Sequence, residues 1–333
     1  MFSKLLLTAC LTVASAYTDG EVATQRIPVL DDAIVAHVNG ANLSWTAGRN
    51  SHFESFSLTD AKVLMGARTD GIKELPSIAH DAATLAATPA SYDPRSARVS
   101  CTGPVLDQAF CGSCWAFGAT EAISDRLCIS KGANATFLQL SPLDLTACDS
   151  GFFSGENGCQ GGQLSGAWNY AKKTGLVTSA CLPYLKSKGG PVPTCAPTAQ
   201  PCLPESKFIK TPACTKTCAN GADFSGDKHK LASVYNVPVA QLKAELAKNG
   251  PVESAFTVYA DFVHYKTGVY AHTTGSMLGG HAITIIGYGT ESGTDYWLVQ
   301  NSWTTTWGDG GYFKIKMGGD ECGIESQAIA GTF

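Results

Sequence analysis

Cysteine placement limits what this chain can fold into more than any other feature of its sequence. Cys10 sits in an N-terminal apolar run, no cysteine occurs over residues 17–88, and twelve of the thirteen lie beyond residue 100. A cysteine-free segment ahead of a cysteine-dense one reads as a separable piece, and disulfides persist where the surroundings oxidise. The first residues supply the route there. Lys4, the apolar run over 5–14 and the small triplet Ala14-Ser15-Ala16 make a secretory signal with its cleavage site. That run is shorter than the ~20 apolar residues a membrane span needs. The predicted divisions are a signal peptide over 1–16, a removable segment over 17–88, a helical domain over 89–230 and a β-rich domain over 231–333. The destination is outside the cell, or a lysosome or vacuole. With 44% hydrophobic and 16% charged residues and a net charge of −4, the chain has ample core. It has no charge excess to draw nucleic acid or an anionic membrane. A monomer is expected.

The stretch Asp107-Gln108-Ala109-Phe110-Cys111-Gly112-Ser113-Cys114-Trp115 carries the chemistry. Beyond Gly112 the sequence favours helix through Leu127, with Ala116, Ala119, Ala122 and Ile123 at small apolar spacing. Cys114 then falls in the first turn, where free backbone N–H groups and the macrodipole favour an anion. A thiol held there ionises more readily, and the thiolate is the form that attacks a carbonyl. Gln108 brings a side-chain amide donor beside the sulfur, the part an oxyanion hole needs. Three other readings compete. A zinc half-site needs a second ligand pair, and no Cys-x-x-His or His-x-x-x-His occurs. A redox pair would join Cys111 to Cys114 within a βαβ setting. A plain structural disulfide leaves Gln108, and the His and Asn described next, without a role.

Seven histidines are present. His37, His52 and His80 lie in the removable segment, while His229, His264 and His272 sit among Lys, Tyr and Thr and are expected to be solvated. His281 differs, since it follows Gly279-Gly280 and opens the apolar run Ala282-Ile283-Thr284-Ile285-Ile286. The two glycines leave room for a sulfur or a substrate to approach. Asn301 ends another apolar run and can accept the imidazole proton, fixing the tautomer. Trp303 can shield that hydrogen bond from water. Elsewhere, helices are predicted over 31–39, 139–146 (capped by Ser141, with Pro142 at its first position), 164–173 and 241–249. Strands are predicted over 252–258, 281–289, 296–299 and 312–317. Residues 181–218 are proline-rich and aperiodic, with five cysteines, and read as a stapled loop. Residues 83–89, rich in Ala and Thr, should be exposed, as a processing site must be. Sequons stand at Asn42 and Asn134. The fold class is α+β, a helical part followed by a barrel-like β part with a cleft between.

Cys111-Gly112-Ser113-Cys114-Trp115 matches the signature of the papain and cathepsin cysteine proteases, and the chain from about Val35 onward resembles that family, most of all its cathepsin B branch. The resemblance implies a papain-like two-domain fold. It also implies a zymogen whose propeptide (17–88) inhibits by crossing the cleft backwards, protein and peptide substrates, and no cofactor or metal. It implies Cys114, His281, Asn301 and Gln108 as catalytic residues. It further implies Gly161, Gly162, Gly280, Trp303 and Gln327 along the substrate path, with Gly161-Gly162 as an edge for an extended backbone. The implied disulfides are Cys101–Cys128, Cys111–Cys159, Cys148–Cys214, Cys181–Cys218 and Cys195–Cys202, leaving Cys322 free. The Cys-to-His interval exceeds the ~130–150 residues usual in the family, and the 181–218 insertion accounts for the excess. Two departures stand out. An acid that serves arginine in the branch is replaced by Gln327, and the insertion contains no histidine where the branch uses a His pair to bind a substrate's C-terminus. Thr306 also replaces an acid that latches this loop. An endopeptidase with an apolar P2 preference is therefore expected. A secreted thiol-disulfide oxidoreductase or a non-catalytic scaffold is the alternative.

Overall fold

The computed structural model of the chain describes residues 27–68, 75–132, 134–149, 156–192 and 209–333. The signal peptide and the Cys195–Cys202 pair lie outside the described residues. At the centre is the helix Cys114–Ser130, buried on every side from Cys114 to Cys128. Small residues at Ala116, Gly118, Ala119 and Ala122 let neighbours approach from all directions, so the helix needs no polar face. Its hydroxyls turn inward: Thr120 donates to Ala116 O at 2.8 Å and Ser124 to Thr120 O at 2.5 Å.

Three further helices frame it. Pro142–Cys148 starts at the expected cap and first residue, with Ser141 Oγ accepting the Asp144 N–H at 3.2 Å, and it runs two residues past Thr146. Leu164–Lys173 has the predicted bounds. Val239–Asn249 begins two residues early, because Pro238 serves as its cap, and it ends at Gly250 with a φ of 107°.

The strands are β1 Trp45–Ala47, β2 Ser233–Asn236, β3 Val252–Tyr259, β4 Tyr265–Tyr270, β5 Met277–Glu291, β6 Thr294–Gln300, β7 Tyr312–Lys316 and β8 Ile329–Thr332. They form one sheet in the order β1-β4-β7-β6-β5-β3-β8-β2. All neighbours are antiparallel except β4 and β7. Strand β1 comes from the N-terminal segment: Trp45 pairs with Gly268, and its side chain joins the sheet's own core. Among the described residues four disulfides are formed, Cys101–Cys128, Cys111–Cys159, Cys148–Cys214 and Cys181–Cys218, and Cys114 and Cys322 are free.

Candidate active site

Cys114 is the first residue of the central helix and is completely buried. The loop before it is pinned twice, by the Cys111–Cys159 disulfide and by Gly112 N–H donating to Cys159 O at 2.9 Å. Cys111 is thus bonded away from Cys114, and the Cys-x-x-Cys pair is no redox couple. Tyr184 O–H donates to Gln108 O at 3.0 Å, so the Ser113 hydroxyl must be the donor in its 2.7 Å bond to Tyr184. That chain of bonds ties the helix start to Gln108.

The Gln108 amide is oriented by its oxygen. Oε1 accepts from Ser302 Oγ at 2.8 Å and from Trp303 Nε1 at 3.2 Å, which leaves Nε2 to face the cleft. His281, on β5, is fully buried and places Nε2 2.8 Å from Asn301 Oδ1. That oxygen also accepts the Ser302 N–H at 2.8 Å, so it can only accept and His281 carries its proton on Nε2. Nδ1 is left as the basic nitrogen, with no hydrogen bond of ordinary geometry and the propeptide's Leu64 backbone facing the ring. The Trp303 indole lies 4.6 Å from the imidazole, tilted 30°, over this bond. Ala282, next in the chain to His281, presents its N–H to the Cys114 sulfur.

A segment of the N-terminal piece fills the cleft. Gly162 N–H donates to Gly66 O at 2.9 Å, Ala67 N–H to Gly280 O at 3.0 Å, and Arg68 N–H to Gly162 O at 2.9 Å. The 67–162 pairing is parallel. The amide of Gln108 donates to Leu64 O at 3.0 Å, so a propeptide carbonyl occupies its donor. The close approach rests on missing side chains: a Cβ at Gly66 would sit 1.8 Å from Gly112 O, and one at Gly280 would sit 2.6 Å from Ala67 O. This cover reverses the expected chemistry of the nucleophile. Burial pushes the Cys114 thiol up to about 11 and the His281 imidazole down to about 4, although backbone N–H groups of Ala282, Gly66 and Trp115 face the sulfur. Desolvation outweighs the first-turn position, and both groups are neutral while the cleft is filled.

Gln327 lines a cavity of about 270 Å³ with Leu164, Ser165, Ala328, Ile329 and Arg68. Glu325 also lines it, but its oxygens accept from Trp297 Nε1, Gly318 N and Asp320 N. Thr306 is exposed and bonded to Thr304 at 2.6 Å. Asn42, in a left-handed turn with φ 51°, and Asn134 are both exposed. Residues 81–87 form an exposed helix, Ala82–Ala86, capped by Asp81.

Sequence reasoning missed several residues. His264 was expected to be solvated but is fully buried, because Asp261 to His264 turns back under the sheet between Ala260 and the segment at Asp31. His272 is part-buried, stacked 3.7 Å from Tyr259 and 3.2 Å from Asp261. Ser302 carried a signal, its position beside Asn301. Glu253 carried none. It is an acid inside an apolar strand, fully buried against Trp168 Nε1 at 2.6 Å, and its carboxyl is held well above the usual range by burial.

Residues 88–332 match the papain family cysteine protease and residues 30–71 the peptidase family C1 propeptide. The chain is 46% identical to cathepsin B of Dictyostelium discoideum over 248 residues, 73% of this chain and 74% of that one. It is 40% identical to a cathepsin B-like cysteine proteinase of Schistosoma japonicum, covering 92% of each. The solved structure of procathepsin B S9 from Trypanosoma congolense superposes with a TM-score of 0.78 at 33% identity, covering 92% of this chain and 99% of that one. The chain therefore belongs to the papain family of cysteine proteases and has its α+β fold. Within that family it is a cathepsin B-like cysteine peptidase carrying a propeptide, a zymogen. Membership as a peptidase displaces the oxidoreductase and scaffold alternatives.

Proposed function

We propose that Cys114, His281, Asn301 and Gln108 hydrolyse peptide bonds by acyl transfer once the propeptide leaves. The observation that carries this is the basic His281 Nδ1, forced by the Nε2–Asn301 bond, beside a helix-first cysteine. His281 Nδ1 takes the thiol proton. The Cys114 sulfur then bonds to the scissile carbonyl carbon, and the oxygen takes the negative charge against Gln108 Nε2 and the Cys114 N–H. Collapse breaks the C–N bond as His281 returns the proton to the leaving amine, and water releases the thioester. Gly162 and Gly280, which pair with the propeptide backbone here, serve as the edges for an extended substrate. The propeptide inhibits by filling the cleft, its parallel run past Gly162 reversed relative to a productive chain and its Leu64 carbonyl held on the Gln108 donor.

The preferred substrate has an apolar P2 residue, since Gln327 offers no charge and Glu325 is committed elsewhere. Endopeptidase action dominates because the insertion holds no histidine to fix a chain end and Thr306 gives no ionic latch. Lys186 and Lys188, on a short turn of the insertion, are loose substitutes on flexible stems. The signal over 1–16 and the disulfides support a secretory route to a lysosome, a vacuole or the outside, with Asn42 and Asn134 as glycan acceptors. No helix among the described residues is long and apolar enough to cross a membrane. The test is labelling of the mature enzyme with a thiolate-alkylating epoxide followed by peptide mapping. Modification at Cys114 with loss of activity is expected, and modification confined to Cys322 would refute the assignment.

A further inference from the structure

The oxyanion of the proposed reaction needs two donors, Gln108 Nε2 and the Cys114 backbone N–H, and they come from different pieces of backbone. Gln108 lies on the loop that enters the site, and Cys114 is the first residue of the central helix. Ala109, next to Gln108, sits in the left-handed region at φ 50°, where a residue with a Cβ is strained. A loop strained there keeps its path only where neighbours hold it. The Gln108 N–H donates to Ser302 O at 3.0 Å, and its side-chain oxygen is taken by Ser302 and Trp303. Its backbone carbonyl accepts from the Tyr184 hydroxyl at 3.0 Å, in a buried contact.

The same hydroxyl receives Ser113 Oγ at 2.7 Å, and the helix gives up a cap for that bond. Ser113 is the N-cap residue of the helix Cys114–Ser130, where a serine ordinarily turns its oxygen onto the N–H two or three places on. Here its side chain makes no cap bond. Its carbonyl starts the helix instead, accepting from the N–H groups of Ala116 at 2.8 Å and Phe117 at 3.1 Å. A first-turn N–H that a capping hydroxyl would take therefore stays with the reacting atoms: that of Trp115 faces the Cys114 sulfur. Tyr184 thus reaches both halves of the oxyanion site through one oxygen. It is held firmly in turn. Its buried ring meets Phe117 edge-on at 4.8 Å, Val192 N–H donates to its carbonyl at 3.1 Å, and Ser141 Oγ donates to Leu182 O at 2.6 Å just behind the Cys181–Cys218 bridge. Burial keeps the phenol well above its ordinary value, so the donor is present at every working pH.

We propose that Tyr184 is a positioning residue for the reaction: its hydroxyl, bonded to Gln108 O and to Ser113 Oγ, fixes the spacing between the two oxyanion donors without touching substrate. It rests on the acyl-transfer reading of Cys114 and Gln108. The strut reaches in from the stapled insertion, which thereby contributes to the transition state. A strut of this kind acts where charge develops on a carbonyl oxygen. A reaction of the sulfur that makes no oxyanion, such as its alkylation, does not use it.

The full chain carrying Tyr184→Phe is folded as the zymogen, processed, and measured beside its parent. A fall in kcat of ~10-fold with KM within ~2-fold is expected, less than the ~10²–10³ that loss of an oxyanion donor costs. The Ki of a peptide aldehyde, whose adduct with the thiol presents its oxygen to the same two donors, should rise by the same ~10-fold. Iodoacetamide alkylation of Cys114 should stay within ~2-fold, and the limbs of the kcat/KM pH profile should not move. In a Gln108→Ala background the substitution should cost at most ~3-fold, since one of the two donors it aligns is already gone. Ser113→Ala removes one bond and no ring, and it answers if Tyr184→Phe fails to fold. Losses of ~3-fold in kcat and aldehyde affinity support the strut, and no change in either overturns it. A Tyr184→Phe enzyme whose kcat stays within ~2-fold of the parent also overturns it, as does one whose alkylation rate falls in step with kcat, since that is damage at the nucleophile. A full ~10-fold loss in the Gln108→Ala background overturns it too. An inactive parent, or epoxide labelling that misses Cys114, defeats the acyl-transfer reading, whereas an active parent indifferent to both substitutions defeats the strut alone.

Discussion

Replacing Gly66 by alanine should open the zymogen without touching the mature enzyme. A Cβ there falls 1.8 Å from Gly112 O, which is backbone and fixed by the Cys111–Cys159 bridge, so the propeptide must move by more than 1 Å. Three hydrogen bonds depend on the present path: Gly162 N–H to Gly66 O, Ala67 N–H to Gly280 O and Arg68 N–H to Gly162 O. At a net ~1 kcal/mol each, their loss amounts to ~3 kcal/mol. That corresponds to a rise of ~100-fold in the fraction of molecules with an open cleft. Alkylation of Cys114 by iodoacetamide at pH 7.5 reads that fraction, because the covered thiol, pushed up to about 11, is almost entirely protonated. Gly40→Ala is the matched control, since a Cβ there meets nothing within 4 Å. Gly66→Ala should label ~100-fold faster and Gly40→Ala at the parent rate. If Gly66→Ala labels within threefold of the parent, the steric account of the cover is wrong.

Four further outcomes follow from the site. In the unsubstituted zymogen, the Cys114 alkylation rate should climb about tenfold per pH unit from 7 to 10 without a plateau, because burial holds the thiol near 11 and the thiolate appears only as pH rises. The processed enzyme, measured the same way, should level off well below that. Gln108→Ala should lower kcat by ~10²–10³ with little change in KM, since its donor acts on the oxyanion; an equal rise in KM alone would contradict the role. Gln327→Glu should raise turnover of an Arg-Arg fluorogenic substrate relative to Phe-Arg, and a parent that already prefers Arg-Arg would count against the apolar P2 reading. Finally, a peptide with a free C-terminus and its amide should be cut alike, whereas dipeptide release from the free acid alone would refute the endopeptidase assignment.

Much of the site was legible because it is written locally. Cys114 opens a helix whose small residues are close in sequence, Gln108 lies six positions upstream, and Asn301-Ser302-Trp303 is a single tripeptide whose members between them reach His281 and Gln108. Long strands were legible too, since β3, β5 and β6 are sustained apolar runs. Four strands were not: β1, β2 and β8 run only three or four residues, too short for an alternating pattern to register, and β4 is interrupted by Lys266-Thr267-Gly268. They exist because partners far along the chain complete their hydrogen bonds, as when Trp45 meets Gly268.

The sequence by itself marked off the N-terminal piece that matches a propeptide, the proposed nucleophile with its proposed base and orienting amide, and the glycines that line the cleft. These depend on residue type at short range, where propensity, spacing and side-chain chemistry act directly. Only the tertiary structure decided the ionisation of that nucleophile and the fate of the histidines. The first-turn position of Cys114 favours a thiolate, yet residues 64–67, some fifty positions earlier, remove the water that would support it. His264 looks like a strand-edge residue in the sequence and becomes a buried acceptor only when Asp31 is folded over it. Desolvation depends on what covers a group, and what covers these groups comes from distant parts of the chain that no local pattern reveals.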